Sequence, residues 1–168
     1  MIRTLLERDL DSMLEVINDA AQVYKGVIPD DGWKEPYMSA KELKEEIDSG
    51  VDFFGLEKEG RIIGVMGIQE VKNITLIRHA YIATEYQGRG LGGKLLQYLI
   101  NLAKAPEILV GTWQSVNWAI QFYEKHGFAL VLYHEKDMLL RKYWNIPERQ
   151  IDTSVVLRLN KTINEVRS

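Results

Sequence analysis

The feature that most constrains this chain is a glycine-rich segment between a predicted strand and a predicted helix, Gln87-Gly88-Arg89-Gly90-Leu91-Gly92-Gly93. Glycines let the backbone approach a ligand closely and adopt dihedral angles that other residues resist. The N–H groups in the first turn of the following helix have no partner within that helix, and the helix dipole favours negative charge near them. The segment therefore predicts an anion site at the start of a helix.

Two familiar phosphate-binding patterns fit this segment poorly. The spacing Gly88-x-Gly90-x-x-Gly93 matches the dinucleotide fingerprint, which should open the first βαβ unit and be followed by an acidic residue at the end of the next strand. Here the glycines lie in mid-chain, and the nearest acidic residue, Glu107, precedes the next predicted strand. A P-loop would need Ser or Thr directly after Lys94, where the chain has leucine. A dinucleotide site stays an alternative, as does a glycine-rich turn that only packs a helix on a sheet.

The composition limits the classes of protein and of partner. The chain has 168 residues, of which 46% are hydrophobic and 27% charged, and this suits one domain over residues 1–168. It contains no cysteine, so disulfides, thiolate metal sites and cysteine nucleophiles are excluded, and we expect no metal. The net charge of −3 and the pI of about 5.7 argue against a nucleic-acid partner. The first nine residues lack the apolar stretch of a signal peptide, and no apolar run approaches the ~20 residues of a membrane span. We therefore expect a cytoplasmic protein with no membrane partner.

The hydrophobic pattern predicts strands in the first half of the chain and alternating strands and helices in the second. Strands are predicted over residues 2–7, 53–58, 61–71, 74–84, 108–110, 128–133 and 155–159. Helices are predicted from about residue 10, from residue 40 to about 50, and over residues 90–105, 117–126 and 137–144. Ser39 should cap the second helix, with Glu42 completing a capping box. An antiparallel meander followed by strand-helix units predicts an α/β or α+β sheet with helices on both faces.

Two stretches resemble motifs of one enzyme superfamily. Residues 81–92, in which Gln87, Gly90 and Gly92 follow the pattern Gln/Arg-x-x-Gly-x-Gly/Ala, resemble motif A of the GCN5-related N-acetyltransferase (GNAT) superfamily. Residues 117–128, Asn117-Trp118-Ala119-Ile120-Gln121-Phe122-Tyr123-Glu124-Lys125-His126-Gly127-Phe128, resemble its motif B and begin 27 residues after Gly90. The resemblance covers most of the chain. It implies a single acetyltransferase domain with a GNAT-like α/β (α+β) fold, whose central sheet is mixed, mostly antiparallel and twisted, with about seven strands and helices on both faces.

The resemblance also implies a site for acetyl-CoA as a co-substrate. Backbone groups of Ala80, Tyr81 and Ile82 would bind the pantetheine arm and the thioester carbonyl, and Asn117 would hydrogen-bond the same arm. The pyrophosphate would lie on Gln87, Gly88, Arg89, Gly90, Leu91, Gly92 and Gly93. Tyr123 would protonate the departing thiolate. From the residues alone, Asn117 is equally well a helix cap and Tyr123 is better read as a core tyrosine.

The implied reaction is acyl transfer, most simply acetyl transfer, to a primary amine of a small molecule or peptide. A lysine-like amine has a pKa near ~10.4, so the site must remove a proton before the amine can attack. The positions where several relatives carry a base hold Leu76 and Thr112 here. His79 is the nearest titratable alternative, although strand alternation could aim it away from the cleft, and we expect deprotonation through a water chain. Direct attack in a ternary complex is favoured because no cysteine can carry an acyl group.

The acceptor side is less defined by the sequence. The segments that usually recognise the acceptor in this fold carry five aromatic residues, Tyr24, Trp33, Tyr37, Trp113 and Trp144, which could line an apolar or cation-binding pocket or simply pack under loops. Residues 155–157 would form an exposed terminal strand, which could pair with a second copy in a homodimer. A binding module that senses acyl-CoA without turnover is the alternative from a different class.

Overall fold

Seven strands form one mixed sheet in the computed structural model, which describes residues 1–162. Residues 163–168 of the domain expected over 1–168 lie outside the described residues. The strands are β1 (Ile2–Thr4), β2 (Asp52–Lys58), β3 (Arg61–Val71), β4 (Ile74–Ile82), β5 (Glu107–Trp113), β6 (Ala129–Leu130) and β7 (Ser154–Asn160). Their order is β1-β2-β3-β4-β5-β7-β6, and within the described chain β4–β5 is the one parallel pair. The mixed, mostly antiparallel sheet expected from the sequence is confirmed.

Helices cover both faces of this sheet. They are α1 (Leu10–Ala20), α2 (Ala40–Asp48), α3 (Leu91–Leu102), α4 (Asn117–Lys125), α5 (Tyr133–Tyr143) and α6 (Glu148–Asp152). Alternate strand residues supply the two faces. Val65 packs with the α1–α2 side, whereas its neighbour Met66 packs with the α3–α4 side. Leu109 packs with α5, whereas Ile108 packs with α3. In the described residues no helix is long and apolar enough to cross a membrane.

Local hydrogen bonds explain why several elements differ from their predicted bounds. The first strand ends at Thr4 because Asp9 closes a 3-10 turn. The Asp9 carboxylate accepts hydrogen bonds from the Leu6 N–H (2.8 Å) and from the two terminal nitrogens of the Arg3 guanidinium (2.9 and 3.0 Å). The Arg3 guanidinium lowers the pKa of Asp9 to about 2, against the opposing effect of burial. The capping box of α2 forms as predicted, with Ser39 and Glu42 exchanging hydrogen bonds.

The C-terminal third departs most from the prediction. The strand expected over residues 128–133 is reduced to Ala129–Leu130, and the helix expected from residue 137 begins at Tyr133. The reason is a helical repeat of buried residues at 136, 139, 140 and 143, in which the charge of Lys136 hides the periodicity. Its ammonium is buried and donates to the Ile151 carbonyl, which ties α5 to the unpredicted helix α6.

The strand expected near the C-terminus forms, but its expected position at the edge of the sheet is wrong. Strand β7 lies between β5 and β6. Leu157 and Arg158 pair with β6, and the Val131 N–H donates to the Val156 carbonyl, so this part of the outer edge of β7 is occupied. The edge on this side is β6, whose two residues offer a second copy very little backbone to pair with.

A gap opens in the middle of the sheet. Strands β4 and β5 pair only at Thr75–Ile77 with Ile108–Val110, yet they continue to Ile82 and Trp113. A bulge in β4 causes the divergence: Val65 and Gly67 of β3 are two residues apart, whereas their partners Tyr81 and Arg78 are three apart. His79, inside the bulge, has a left-handed φ of 55°. The bulge therefore separates the second half of β4 from β5 and creates a cleft.

Gly67 makes room for this bulge, and a side chain there should disturb it. A Cβ at Gly67 would lie 2.7 Å from a Val51 methyl and 3.0 Å from the Arg78 carbonyl oxygen. We expect Gly67→Ala to lower stability by about 1–3 kcal/mol and also to weaken CoA binding, because the crowded atom belongs to the backbone of the bulge. Thermal unfolding and titration calorimetry with CoA measure the two effects.

Gly55→Ala is the matched control, since its Cβ would crowd only the end of the Leu5 side chain, 2.6 Å away, on the neighbouring strand β2. It should lose stability but keep its CoA affinity. Equal losses of CoA affinity in both variants would contradict a specific role for the bulge.

Candidate active site

Two cavities meet at the gap between β4 and β5. The larger, of about 900 Å³, reaches the glycine-rich segment and is called here the glycine cavity. The smaller, of about 560 Å³, lies between α2, the loop at residues 29–38 and the α5–α6 connection, and is called the aromatic cavity. Five residues line both cavities: Tyr24, Ala80, Tyr81, Ala119 and Tyr123. Two molecules seated in the two cavities would therefore touch at these residues.

The glycine-rich segment forms the tight turn that the sequence predicts. Gly88 and Gly90 have φ angles of 78° and 77°, and no atom lies within 4 Å of where their side chains would begin. Gly90 is the N-cap of α3, and no side chain caps this helix start. The Gln87 amide donates to the Ile82 carbonyl (2.9 Å), which ties the turn to the end of β4. The turn thus presents open space and the first N–H groups of α3 to the glycine cavity.

The last two glycines of the segment lie against neighbouring side chains of α4 and β4. A Cβ at Gly93 would lie 2.6 Å from the His126 ring nitrogen Nε2, and one at Gly92 would lie 3.5 Å from Ile82 and Phe122. The missing side chain at Gly93 therefore leaves room for the His126 ring at the end of α4, whereas a Cβ at Gly92 would make only ordinary van der Waals contact. The packing interpretation of the sequence is supported at Gly93, and the anion site stays a prediction.

Tyr123 lies at the junction of the two cavities. It projects from α4, is 5% exposed, and packs edge-on against Phe122 and Phe128. Burial raises the pKa of Tyr123 well above its ordinary value, and the nearby Tyr24 adds to the rise. The phenol is thus neutral near pH 7. No hydrogen bond joins its hydroxyl to any residue in the described part of the chain, so the proton is available to a bound molecule.

Aromatic hydroxyls and rings form the wall opposite Tyr123. The Trp113 indole N–H donates to the Tyr37 hydroxyl (2.9 Å), and the Tyr24 ring lies 5.4 Å from the Tyr37 ring and 6.3 Å from the Tyr81 ring. Burial raises the pKa values of all three tyrosines. The stacked rings of Trp33 and Tyr37 extend the wall outward. The structure therefore brings together the aromatic residues that the sequence placed in separate loops, and Trp144 lines the same cavity.

Carboxylates and paired cations line the rest of the aromatic cavity. Glu46 of α2 contacts the His79 ring nitrogen Nε2 (2.7 Å) and the Arg78 guanidinium (3.1 Å). Lys34 pairs with Glu42, and Arg149 pairs with Asp31 (2.9 Å). Glu46 is not among the residues expected from the sequence, although its spacing of four from Glu42 on a predicted helix places both on one face.

The structure also locates the positions at which a general base was considered. Leu76 is fully buried against α5, and Thr112 lines the aromatic cavity. His79 lines the same cavity, because the bulge interrupts the alternation that would have been expected to turn it away. Two other residues singled out by the sequence lie elsewhere: Asn117 is exposed at the start of α4, and neither Asn117 nor Arg89 is among the residues that line the two cavities.

Comparison with known proteins assigns the site to a family. A family model described as an acetyltransferase (GNAT) domain matches residues 18–137. In an alignment 166 positions long, which spans 89% of this chain and 91% of the other protein, the chain is 26% identical to the S-alkylcysteine N-acetyltransferase of Bacillus subtilis.

Solved structures with the same fold contain the cofactor. The PaiA N-acetyltransferase of Thermoplasma acidophilum in complex with coenzyme A superposes with a TM-score of 0.73 at 20% identity, over 95% of this chain and 98% of the other. A GNAT family acetyltransferase from Elizabethkingia anophelis with acetyl-CoA bound gives a TM-score of 0.62 at 21% identity, over 95% and 97%.

A carboxylate at Gly90 should test the anion site. We expect Gly90→Glu to weaken CoA binding at least 100-fold, because the side chain would fill the open space at the start of α3 and repel phosphate. Gly60→Glu is a matched control, since Gly60 also has a φ of 77° and open surroundings but lies in the β2–β3 turn. It should share the backbone strain and keep its affinity. Titration calorimetry with CoA compares them, and wild-type affinity in Gly90→Glu would overturn the assignment.

Proposed function

Since this chain belongs to the GNAT acetyltransferase family, we propose that it transfers an acetyl group from acetyl-CoA to a primary amine of a small molecule or peptide. The acetyl group would pass by direct attack while both substrates are bound. The observation that carries this proposal is the meeting of the two cavities at Tyr81 and Tyr123. One cavity has the open glycine turn that a pyrophosphate needs, and the other has carboxylates and aromatic rings that suit an amine.

The glycine cavity is the proposed site of acetyl-CoA. Phosphate oxygens would accept hydrogen bonds from the N–H groups of Leu91, Gly92 and Gly93, and the pantetheine arm would follow β4. Beyond Ile77 the edge of β4 that faced β5 has no strand partner, so backbone groups of residues 80–82 are free to bind an extended amide chain. The arm would then end at Tyr123, where its thioester must lie.

The aromatic cavity is the proposed site of the amine. Its volume of about 560 Å³ lies in the range of small-molecule pockets, which favours a compact amine or the end of a peptide. Three ion pairs line it: Lys34 with Glu42, Arg78 with Glu46, and Arg149 with Asp31. Glu45 adds a carboxylate with no ion pair in the described chain. The lining thus carries a small excess of negative charge, which suits an ammonium group.

The arrangement suits attack on a thioester. A neutral amine nitrogen would attack the carbonyl carbon, and the negative charge that develops on the carbonyl oxygen would be met by backbone N–H groups of β4. When the C–S bond breaks, the sulfur leaves as a thiolate and needs a proton. Tyr123 is the buried neutral hydroxyl at that point, so it is the proposed proton donor.

Removing the Tyr123 hydroxyl should separate binding from chemistry. We expect Tyr123→Phe to lower kcat on the order of 10²-fold, the usual effect of losing a general acid, while CoA affinity changes little. The matched control is Tyr133→Phe, because Tyr133 is 69% exposed on α5 and lines neither cavity. Steady-state rates of thiol release, together with calorimetry, measure both quantities. Unchanged turnover in Tyr123→Phe would remove this residue from the proposed role.

An acceptor screen tests the function as a whole. We expect free CoA thiol to appear when the protein is incubated with acetyl-CoA and a panel of primary amines, with small amines ahead of folded protein substrates because of the size of the aromatic cavity. Thiol release is followed with a chromogenic disulfide, and the acetylated product by mass spectrometry. Tight CoA binding without release for any amine would instead support a module that senses acyl-CoA.

A further inference from the structure

We propose that His79, oriented by Glu46, accepts the proton that the acceptor ammonium must lose before it attacks the thioester. The inference deepens the proposed transfer reaction and rests on it. It replaces the water chain expected from the sequence with a side chain in the wall of the aromatic cavity.

The bulge in β4 places the His79 ring in that wall. The left-handed φ of 55° at His79 breaks the strand's alternation, so that Arg78, His79, Ala80 and Tyr81 all line the aromatic cavity. A non-glycine residue with this φ is strained unless its surroundings hold it, and such strain concentrates at functional sites. His79 directly precedes Ala80, one of the residues shared with the glycine cavity. Its side chain is therefore one residue along the strand from the proposed path of the thioester.

The contact with Glu46 determines which ring nitrogen can take a proton. An ionised carboxylate only accepts hydrogen bonds, so the His79 nitrogen that contacts it at 2.7 Å, Nε2, must carry hydrogen. The neutral ring then has its lone pair on Nδ1, and no described residue hydrogen-bonds to Nδ1. The same logic orients the imidazole in catalytic triads, where a carboxylate holds one nitrogen and the other acts as the base.

Glu46 is held as a carboxylate by its neighbours. Burial tends to raise the pKa of Glu46, but the hydrogen bond from His79 and the charges of His79 and Arg78 lower it below its ordinary value. Arg78 contacts Glu46 at 3.1 Å and also donates to the Gln69 side chain (3.2 Å). Arg78 therefore ties α2 to the sheet alongside His79, and the Gln69 amide adds a further link by donating to the Ser49 carbonyl at the end of α2 (3.0 Å).

The other groups around the His79 ring leave one side open to an amine. On the β2 side it packs against the Phe53 ring at 5.9 Å, which is apolar. The remaining charged or titratable side chains of this cavity come from several elements: Asp31, Lys34, Tyr37, Glu42 and Glu45 from the loop and α2, Tyr24 after α1, Tyr81 from β4, Tyr123 from α4 and Arg149 from α6. The cations among them, Lys34 and Arg149, are each paired with a carboxylate.

His79 and Tyr123 together account for every proton that moves in the proposed reaction. The ammonium gives one proton to Nδ1 of His79, and its nitrogen lone pair forms the C–N bond to the carbonyl carbon. The nitrogen loses its second proton as the C–S bond breaks and the electron pair goes to sulfur. Tyr123 gives a proton to the thiolate and regains one from the nitrogen, directly or through water. His79 releases its proton to solvent, so that one proton is liberated for each amide formed.

The pH dependence of His79→Gln tests this role. In the wild type, kcat/KM should depend only weakly on the fraction of the amine that is already neutral, because a side chain takes its proton. In the variant it should fall on the order of 10²-fold at pH 7 and rise tenfold per pH unit toward pH 10, since only amine that is already neutral can react. An acceptor amine that is neutral at pH 7 should lose much less activity. Glu46→Gln, which can still accept from Nε2 but lacks the charge, should show a smaller loss of kcat/KM than His79→Gln.

Controls separate this inference from a structural effect and from the proposed function. His134→Gln changes an exposed histidine on α5 and should leave the pH profile unchanged. CoA affinity and thermal unfolding of His79→Gln should stay close to wild type. If wild-type protein acetylates no amine, the proposed function fails. If the wild type is active and His79→Gln keeps the wild-type shape of the pH profile, only the role of His79 is overturned.

Discussion

The bulge in β4 is the constraint on which the rest of the site depends. A continuous pairing of β4 with β5 would close the sheet and leave no room for a ligand between them. The extra residue near His79, accommodated by the missing side chain of Gly67, turns the second half of β4 away after Ile77. The backbone edge of residues 80–82 becomes free, and the two cavities on either side of it become continuous. A single irregularity in pairing therefore creates the donor path, the acceptor space and their junction.

Burial then gives the residues at this junction their chemical character. Tyr123 and the neighbouring tyrosines stay neutral because an ionised phenolate would be poorly solvated there, which suits hydrogen-bond donors. Glu46 behaves in the opposite way, since the cationic groups beside it stabilise its charged form despite burial. The site thus keeps neutral donors next to the proposed thioester position and ionised carboxylates on the side of the amine. The proposed proton donor, Tyr123, and the proposed proton acceptor, His79, therefore have different surroundings.

The sequence carries a stronger signal for the proposed CoA site than for the proposed amine site, and the reason is physical. An anion turn needs specific glycines at fixed spacing next to a helix start, so Gly88 and Gly90 carry a local signal. The aromatic cavity has no such signal, because Tyr24, Trp33 and Trp113 come from segments distant in sequence and meet only in the fold. The sequence also gives no sign of the bulge, because the bulge depends on the register between β3 and β4. It interrupts the alternation that could have aimed His79 away from the cleft. In the C-terminal third, the buried Lys136 concealed the period of α5, and β7 proved to be an inner strand.

The close contact of α3 with α4 at Gly93 has a consequence for how such a chain can diverge. The His126 ring at the end of α4 packs against Gly93, and this contact joins the helix that begins at the glycine turn to the helix that carries Tyr123. The outer walls of the aromatic cavity, in contrast, come from the loop at residues 29–38 and from α6. Substitutions in these outer segments would therefore change the proposed amine site while leaving Gly93 and Tyr123 in place.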